Sequence, residues 1–180
     1  GLLTENYGEA RRINAGSPEP LWTGGFNTEL SWRGISLGIQ LEARYGNKVL
    51  NQDRSLFEAD GSYGDSNIWK GAMNYWKKPG DTNVLPKPVY NNSSNSSAIS
   101  TRYLEDGSYL RIKDITLAYS LPSKWTKKAL MSGVRIYASA LNLYTFHNMN
   151  YWDPEHGTSG ATIISYPMTR SMIVGVDITF

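Results

Sequence analysis

The sequence contains no cysteine. A disulfide framework, a thiolate metal site and a cysteine nucleophile are thereby excluded. Charge is scarce as well, with 19% of residues Asp, Glu, Lys or Arg against about 25% in ordinary soluble domains. The 18 Lys plus Arg and 16 Asp plus Glu leave a formal charge of +2, too small an excess to draw in nucleic acid. No stretch approaches the roughly 18 consecutive apolar residues of a membrane-spanning helix, and mean hydropathy is −0.43. A membrane is not excluded by that, because transmembrane strands alternate apolar and polar residues and average out in a sliding window. The opening Gly1-Leu2-Leu3-Thr4-Glu5 has no initiator Met and no basic, apolar and small-residue succession of a signal peptide. The 180 residues therefore read as one domain-sized unit, a piece of something longer or a processed product.

Aromatic residues are plentiful, with 12 Tyr and 6 Trp, and there are 17 Gly. Their placement is periodic. From Trp22 the even positions read Trp22, Gly24, Phe26, Thr28, Leu30, Trp32, and the odd ones Thr23, Gly25, Asn27, Glu29, Ser31, Arg33. Past Arg33-Gly34 the apolar set is Ile35, Leu37, Ile39, Leu41, Ala43, Tyr45, opposed by Ser36, Gly38, Gln40, Glu42, Arg44. Two period-2 runs joined by a tight, glycine-containing turn predict a β-hairpin. Further on, Ile115, Leu117, Tyr119 and Leu121 alternate with Asp114, Thr116, Ala118 and Ser120. Leu110 and Ile112 fall in the opposite phase, which places a bulge or strand entry near Lys113-Asp114. Gly133 to Phe146 reads as a fourth strand with less distinct faces. Ser171 to Phe180 is the fifth, with Met172, Val174, Val176, Ile178 and Phe180 on one side. A short helical turn is expected around Ser123 to Leu130, after Pro122.

The connections are about two residues at Arg33-Gly34, about 60 from Gly46 to Gly107, about a dozen from Pro122 to Ser132, and over 20 from His147 to Arg170. Short and long alternate. Outer-membrane barrels have this asymmetry, with short periplasmic turns and long extracellular loops. Trp22 and Trp32 share a face ten residues apart, hence about 33 Å along a strand. At a tilt of roughly 45° this spans about 23 Å, close to the roughly 25 Å apolar band between aromatic girdles. Two Trp in a soluble core is the other reading, but Gly24, Gly25 and Gly38 would pack such a core poorly. Five strands do not close, since bacterial barrels have an even number of about eight or more, so the rest of a wall is needed.

Several stretches are family-like: Gly16-Ser17-Pro18 through Trp22-Thr23-Gly24-Gly25-Phe26; Tyr75-Trp76-Lys77-Lys78-Pro79-Gly80-Asp81-Thr82-Asn83 with Pro86 and Pro88; and Ser108-Tyr109-Leu110-Arg111-Ile112-Lys113-Asp114-Ile115-Thr116-Leu117-Ala118-Tyr119-Ser120-Leu121-Pro122. Arg135-Ile136-Tyr137 with Asn142-Leu143-Tyr144-Thr145, Asp153-Pro154-Glu155, Tyr166-Pro167 and Val174 to Phe180 complete the set. In order and spacing they resemble the C-terminal end of the SusC/RagA branch of TonB-dependent outer-membrane transporters. The resemblance implies an all-β fold: about five C-terminal strands, with long extracellular loops, of a transmembrane barrel of about 22 strands. It implies that residues 1–180 are one barrel segment in the outer membrane of a Gram-negative cell, with plug, TonB box and earlier strands outside it. The acidic Asn/Asp-rich segment that the family often carries upstream is reduced to Asn6 to Asn14. Such transporters import oligosaccharides in most cases and peptides in some. The partners implied are the remaining barrel and plug, a SusD-like surface lipoprotein, the TonB complex, the oligosaccharide or peptide, and membrane lipid. No cofactor and no nucleic acid are implied. A secreted soluble β-sandwich that binds carbohydrate through Trp and Tyr is the alternative.

Catalysis has little support. His147 and His156 share a loop with Asp153 and Glu155 but lack helical metal-ligand spacing, so no metal site is expected. No G-x-S-x-G elbow is present, and no cleft is evident for paired carboxylates. An enzyme is not expected. Trp69, Tyr75, Tyr151 and Trp152 are the substrate-binding candidates, because flat aromatic faces in long loops stack on apolar ligand faces. Trp76 suits a scaffold role better. Asn91 to Ser100 reads as a mobile polar loop tip, and Lys124, Lys127 and Lys128 as a solvated periplasmic turn. Glu29, Gln40, Glu42 and Arg44 are expected to face the lumen or plug. Phe180, at the end of the last apolar face, is the candidate assembly signal.

Overall fold

The computed structural model describes residues 6–63, 67–155, 160–162, 164, 166 and 168–180. Its elements follow the chain as β1 (Trp22–Trp32), β2 (Ile35–Tyr45), β3 (Lys48–Asn51), α1 (Gln52–Phe57), β4 (Leu104–Asp106), β5 (Tyr109–Ser120), α2 (Ser123–Thr126), β6 (Gly133–His147), β7 (Ala161–Thr162) and β8 (Ser171–Thr179). Five strands form one antiparallel sheet in the order β1-β2-β5-β6-β8, a meander. The other three form a small sheet, β4-β3-β7, at the end where the long connections leave.

The first hairpin is set by its turn. Arg33 and Gly34 both have positive φ, +49° and +86°, the mirror-image turn whose twist matches that of paired strands. Gly34 cannot be replaced freely, since a Cβ there would lie 2.8 Å from the Ser120 carbonyl oxygen. From this turn the register runs Trp32↔Ile35, Leu30↔Leu37, Thr28↔Ile39, Phe26↔Leu41 and Trp22↔Tyr45. Apolar residues thus meet one another on the same face, except at Thr28↔Ile39. Trp22 and Tyr45 stack at 6.4 Å.

The phase slip near Lys113 is a bulge. Gln40 pairs with Asp114 and Leu41 with Ile112, leaving Lys113 as the extra residue. Its consequence is that Lys113 and Asp114 both lie on the polar face. Lys113 Nζ is 3.1 Å from Glu42, and Asp114 accepts from Thr116 and Ser139 hydroxyls at 2.7 and 2.8 Å. Below the bulge Ile115 and Leu117 take the apolar face, and above it Ile112 and Leu110 do. β6 keeps pace through a left-handed Asn142 at φ +50°, where Asp114↔Leu141 is followed by Ile112↔Tyr144. The expected helical turn forms as α2 and a 3-10 turn, Lys127–Ala129, ending at Leu130 with φ +57°.

Three details depart from the sequence reading. The connection of about 60 residues is not one irregular loop. β2 continues through Gly46-Asn47 into β3, and β4 leads through Gly107-Ser108 into β5, so the hairpin runs on as a rim beyond the wall. The Asn91 to Ser100 tract is tied down: Asn92 donates to Asp60 Oδ2 at 2.8 Å and Ser97 to Ser62 at 3.2 Å. The last strand stops at Thr179, one residue before Phe180. His156, Pro167 and the opening residues 1–5 lie outside the described residues.

Packing is inverted relative to a soluble domain. Leu30, Trp32, Leu117, Met172 and Val174 are exposed, whereas Arg111, Asn51 and Asp53 are at most 1% exposed. The apolar face of the large sheet has no cover within the described chain; the buried polar groups lie on its other face, as Arg111 does, and in the rim, as Asn51 and Asp53 do. Against hydrocarbon, Arg on the apolar face near the midplane costs about 2–4 kcal/mol, while the lumen tolerates charge. In the full-length protein, Ile39→Arg, at the middle of the hairpin opposite Thr28, should therefore cut outer-membrane levels of folded barrel sharply. Gln40→Arg, facing Asp114 across the register, should leave them near normal. Heat-modifiable gel migration reads both, and equal effects would contradict the facing deduced from the pairing.

Candidate functional site

The most buried large side chain is a cation. Arg111 is 0% exposed, and it sits on the polar face of β5 just above the bulge. Its two terminal nitrogens donate to Asp153 and, at 2.6 Å, to Glu155. Lys113 bonds Glu155 at 3.2 Å and Glu42 at 3.1 Å. The buried Tyr109 hydroxyl donates to Glu42 at 2.7 Å, and Arg44 stands 3.9 Å from the same carboxylate. Three cations (Arg44, Arg111, Lys113) thus balance three carboxylates (Glu42, Asp153, Glu155). The arrangement straps the 148–155 segment to the inner face of the wall, since charged groups this buried persist only when paired and hydrogen-bonded.

A second cluster joins the two long connections. Arg54, in α1, bonds Glu58 and Glu105, at 2.9 and 2.7 Å. Burial works to lower the Arg54 pKa, but the hydrogen bonds and charges of Glu58 and Glu105 outweigh it and hold it above the usual guanidinium value. Glu105 also accepts from the backbone N–H and side-chain amide of Asn150, at 2.8 and 3.1 Å. Asn51 in turn donates to the Asn150 carbonyl, and Asp53 accepts from the Ile164 N–H at 3.0 Å. With β3 pairing in parallel to β7, the two loops are one rim.

Two of the expected binding aromatics meet here. Trp69 stacks on Phe57 at 4.7 Å and meets Tyr151 at 3.9 Å. These rings contact one another, so much of their flat surface is used in joining the loops. Burial, with the Glu58 charge nearby, raises the Tyr151 pKa. Trp152 lies beside Tyr151, Arg111, Asp153 and Arg170 in a cleft of about 350 Å³. Its indole N–H and Arg111 Nε are buried without a hydrogen-bond partner among the described residues. Tyr75 belongs to a different part of the loop, with Lys77 Nζ 5.5 Å above its ring. That part is held by its backbone: Trp76 N–H donates to the Leu85 carbonyl, and Asp81 accepts from the Lys77 and Lys78 amides at 2.9 and 3.0 Å. Asp153 and Glu155, weighed as metal ligands, are committed to Arg111.

Sequence reasoning missed Arg111, Lys113, Arg54 and Glu105 as organising residues. A signal for the first pair was present: Arg111 and Lys113 lie in the most specific family-like stretch, and their carboxylates form Asp153-Pro154-Glu155.

No protein-family model matches the chain. It is 30% identical over 182 residues to TonB-dependent receptor P3 of Formosa agariphila, and 27% identical over 179 residues to TonB-dependent receptor P26 of the same organism. These alignments cover 95% and 92% of this chain but 17% of either relative. Among solved structures, the RagAB peptide transporter matches at TM-score 0.78 and 30% identity, over 92% of this chain and 18% of that one. The RagAB peptide importer in its closed-closed state matches at 0.79 over 93% of this chain. Over nearly its whole length the chain is similar to one part of TonB-dependent receptors and of the RagAB transporter. Its sheet and rim fit a stretch of their β-barrel wall.

In this segment the Arg111 cluster is the joint between wall and rim. Breaking a buried ion pair from one side typically costs about 3–5 kcal/mol, because the partner charge stays buried. Arg111→Met in the full-length receptor should therefore release the 148–170 segment to limited proteolysis while barrel heat-modifiability survives. Arg111→Lys should restore little, since a point charge cannot serve Asp153 and Glu155 together. A loop as protease-resistant in Arg111→Met as in the parent would refute the joint.

Proposed function

We propose that this chain forms a wall segment and extracellular rim of an outer-membrane, TonB-dependent nutrient importer, at its C-terminal end. It moves an oligomeric nutrient and performs no chemistry on it. The observation that carries the reading is the inverted sheet: an apolar face left bare and a polar face holding buried charges, in a chain 30% identical to such receptors. A soluble sandwich would need a second sheet over Leu30, Leu117 and Val174, and these residues are exposed.

On this reading the long connections lie outside the cell and the turns at Arg33-Gly34 and 121–132 face the periplasm. The rim receives a SusD-like lipoprotein, which the exposed Met73, Val89 and Tyr90 support as contact surface. The cargo is an oligosaccharide, as the family resemblance suggests, with Tyr151 and Trp152 of the cleft as contacts. Trp69 and Tyr75 are secondary candidates. A peptide cargo is the second reading, favoured by the kinship with a peptide transporter. Phe180, 87% exposed at the end of the β8 apolar face, keeps its proposed part in barrel assembly.

Cysteines introduced at Ser94 and Ser123, both exposed, test the orientation in the full-length protein. On intact cells an impermeant thiol reagent should label the Ser94 site and spare the Ser123 site. The reverse pattern would invert the topology and remove the importer reading. Phe180→Ala should lower outer-membrane levels well beyond Tyr90→Ala, a loop residue of comparable exposure.

A further inference from the structure

We propose that the 123–130 turn is a binding surface for anionic phospholipid headgroups of the periplasm-facing leaflet, an inference that rests on the orientation proposed above. The first observation is charge. Lys124, Lys127 and Lys128 lie within five residues, and no Asp or Glu occurs from Ile115 to Trp152. Among the described residues no salt bridge reaches these lysines, and the acid nearest in register, Asp177, is taken by Arg135 at 3.2 Å. Arg33, in the neighbouring hairpin turn, adds a cation at the same end, held 4.9 Å over the Trp32 ring.

The second observation is Leu130. It is 89% exposed and ends the turn in the left-handed region, at φ +57°. That position is strained for a β-carbon and is ordinarily given to glycine or asparagine. A leucine that keeps its strain and its full exposure gains nothing from the folded chain. A gain appears if its side chain enters the acyl boundary. Trp125, 58% exposed, belongs to the same turn, while the buried Thr126 anchors it.

The third is continuity. The exposed apolar face of the sheet runs into this end through Trp32, Ile35, Tyr119 and Ile178, by the pairings Trp32↔Ile35 and Ile35↔Tyr119. Apolar and aromatic residues beside lysines form the pattern of an interfacial segment, in which the apolar groups sit at the headgroup boundary and the cations attract anionic lipid. Lysine stems extend along apolar surface and keep their charge at the phosphates. The lipid already against the sheet supplies the occupant.

The full-length receptor, refolded in vesicles and verified by heat-modifiable migration, provides the test. With Leu130→Cys as its one reactive thiol, an environment-sensitive dye should show blue-shifted emission and be quenched by shallow spin-labelled lipid rather than by aqueous iodide. Adding phosphatidylglycerol to phosphatidylcholine vesicles should raise Tm of the parent. The Lys124→Gln, Lys127→Gln, Lys128→Gln triple variant should lose roughly tenfold or more of the phosphatidylglycerol preference, read from lipids retained in native mass spectrometry. Leu130→Gly relieves the strain. It should shrink the Tm gain from phosphatidylglycerol, whereas an unchanged gain with a higher Tm in both vesicles would show an idle leucine and overturn the proposal. Dye quenched by iodide and indifferent to phosphatidylglycerol overturns it with the orientation intact. Impermeant labelling of Ser123 on cells removes the orientation instead. Protection of the Leu130 site in cells but not in vesicles replaces the lipid by a periplasmic partner.

Discussion

Hydrocarbon offers no hydrogen bonds, and that constraint governs this molecule. Each backbone N–H and C=O within the apolar band must find its partner along the sheet, because an unpaired one costs several kcal/mol there. The antiparallel meander answers this for β2, β5 and β6, each paired on both sides. It does not answer it for β1 and β8, which edge the sheet. Both edges remain long and regular, with no proline or charged run to blunt them as a soluble edge would have. A sheet so built is made to continue into more wall. The side chains follow the same rule, since alternation that hides apolar residues in a soluble protein here displays them.

Inversion also decides where charge can be kept. With lipid on one side, buried ionic groups collect on the other, and Arg111 is the extreme case. The Arg111 ion pairs are weak evidence of net stability, as desolvation offsets much of the attraction. What they supply is position. A guanidinium with two carboxylates from a distant loop defines one arrangement of that loop over the wall. The Arg54–Glu105–Asn150 cluster then ties that arrangement to the other long connection. The rim is thus positioned by residues of the wall.

The wall was legible in sequence and the rim was not, for reasons of scale. Trp22 to Tyr45 spans two full strands with strict period-2 faces and a turn whose glycine has a steric cause, so the hairpin and its register could be read directly. The phase slip between Ile112 and Ile115 gave the bulge, because one extra residue exchanges the faces. β3, β4 and β7 are four, three and two residues long, too short for any periodicity. Their pairing depends on contacts such as Thr162 to Asn51, 111 residues apart. The aromatic candidates illustrate the same limit. Trp69 and Tyr151 were chosen separately as flat faces for a ligand, and their contact with each other, across two loops, has no signal in the sequence.

The bulge at Lys113 joins these levels. In an unbroken strand, alternation would put Lys113 on the face of Ile115, toward lipid, where its charge could not stay. With the extra residue, Lys113 joins Asp114 on the lumen side, and Arg111 above it comes to the same face. Two cations then point inward at the height where the wall ends and the loop returns. Asp153 and Glu155, one residue apart about Pro154, complement that spacing of two along the strand. Flattening the bulge with Lys113 still in the strand would reverse the facing of everything above it: Arg111 would turn to lipid, and Leu110 and Ile112 to the lumen. A single inserted residue thus allows a membrane-spanning strand to continue into a polar, loop-binding one.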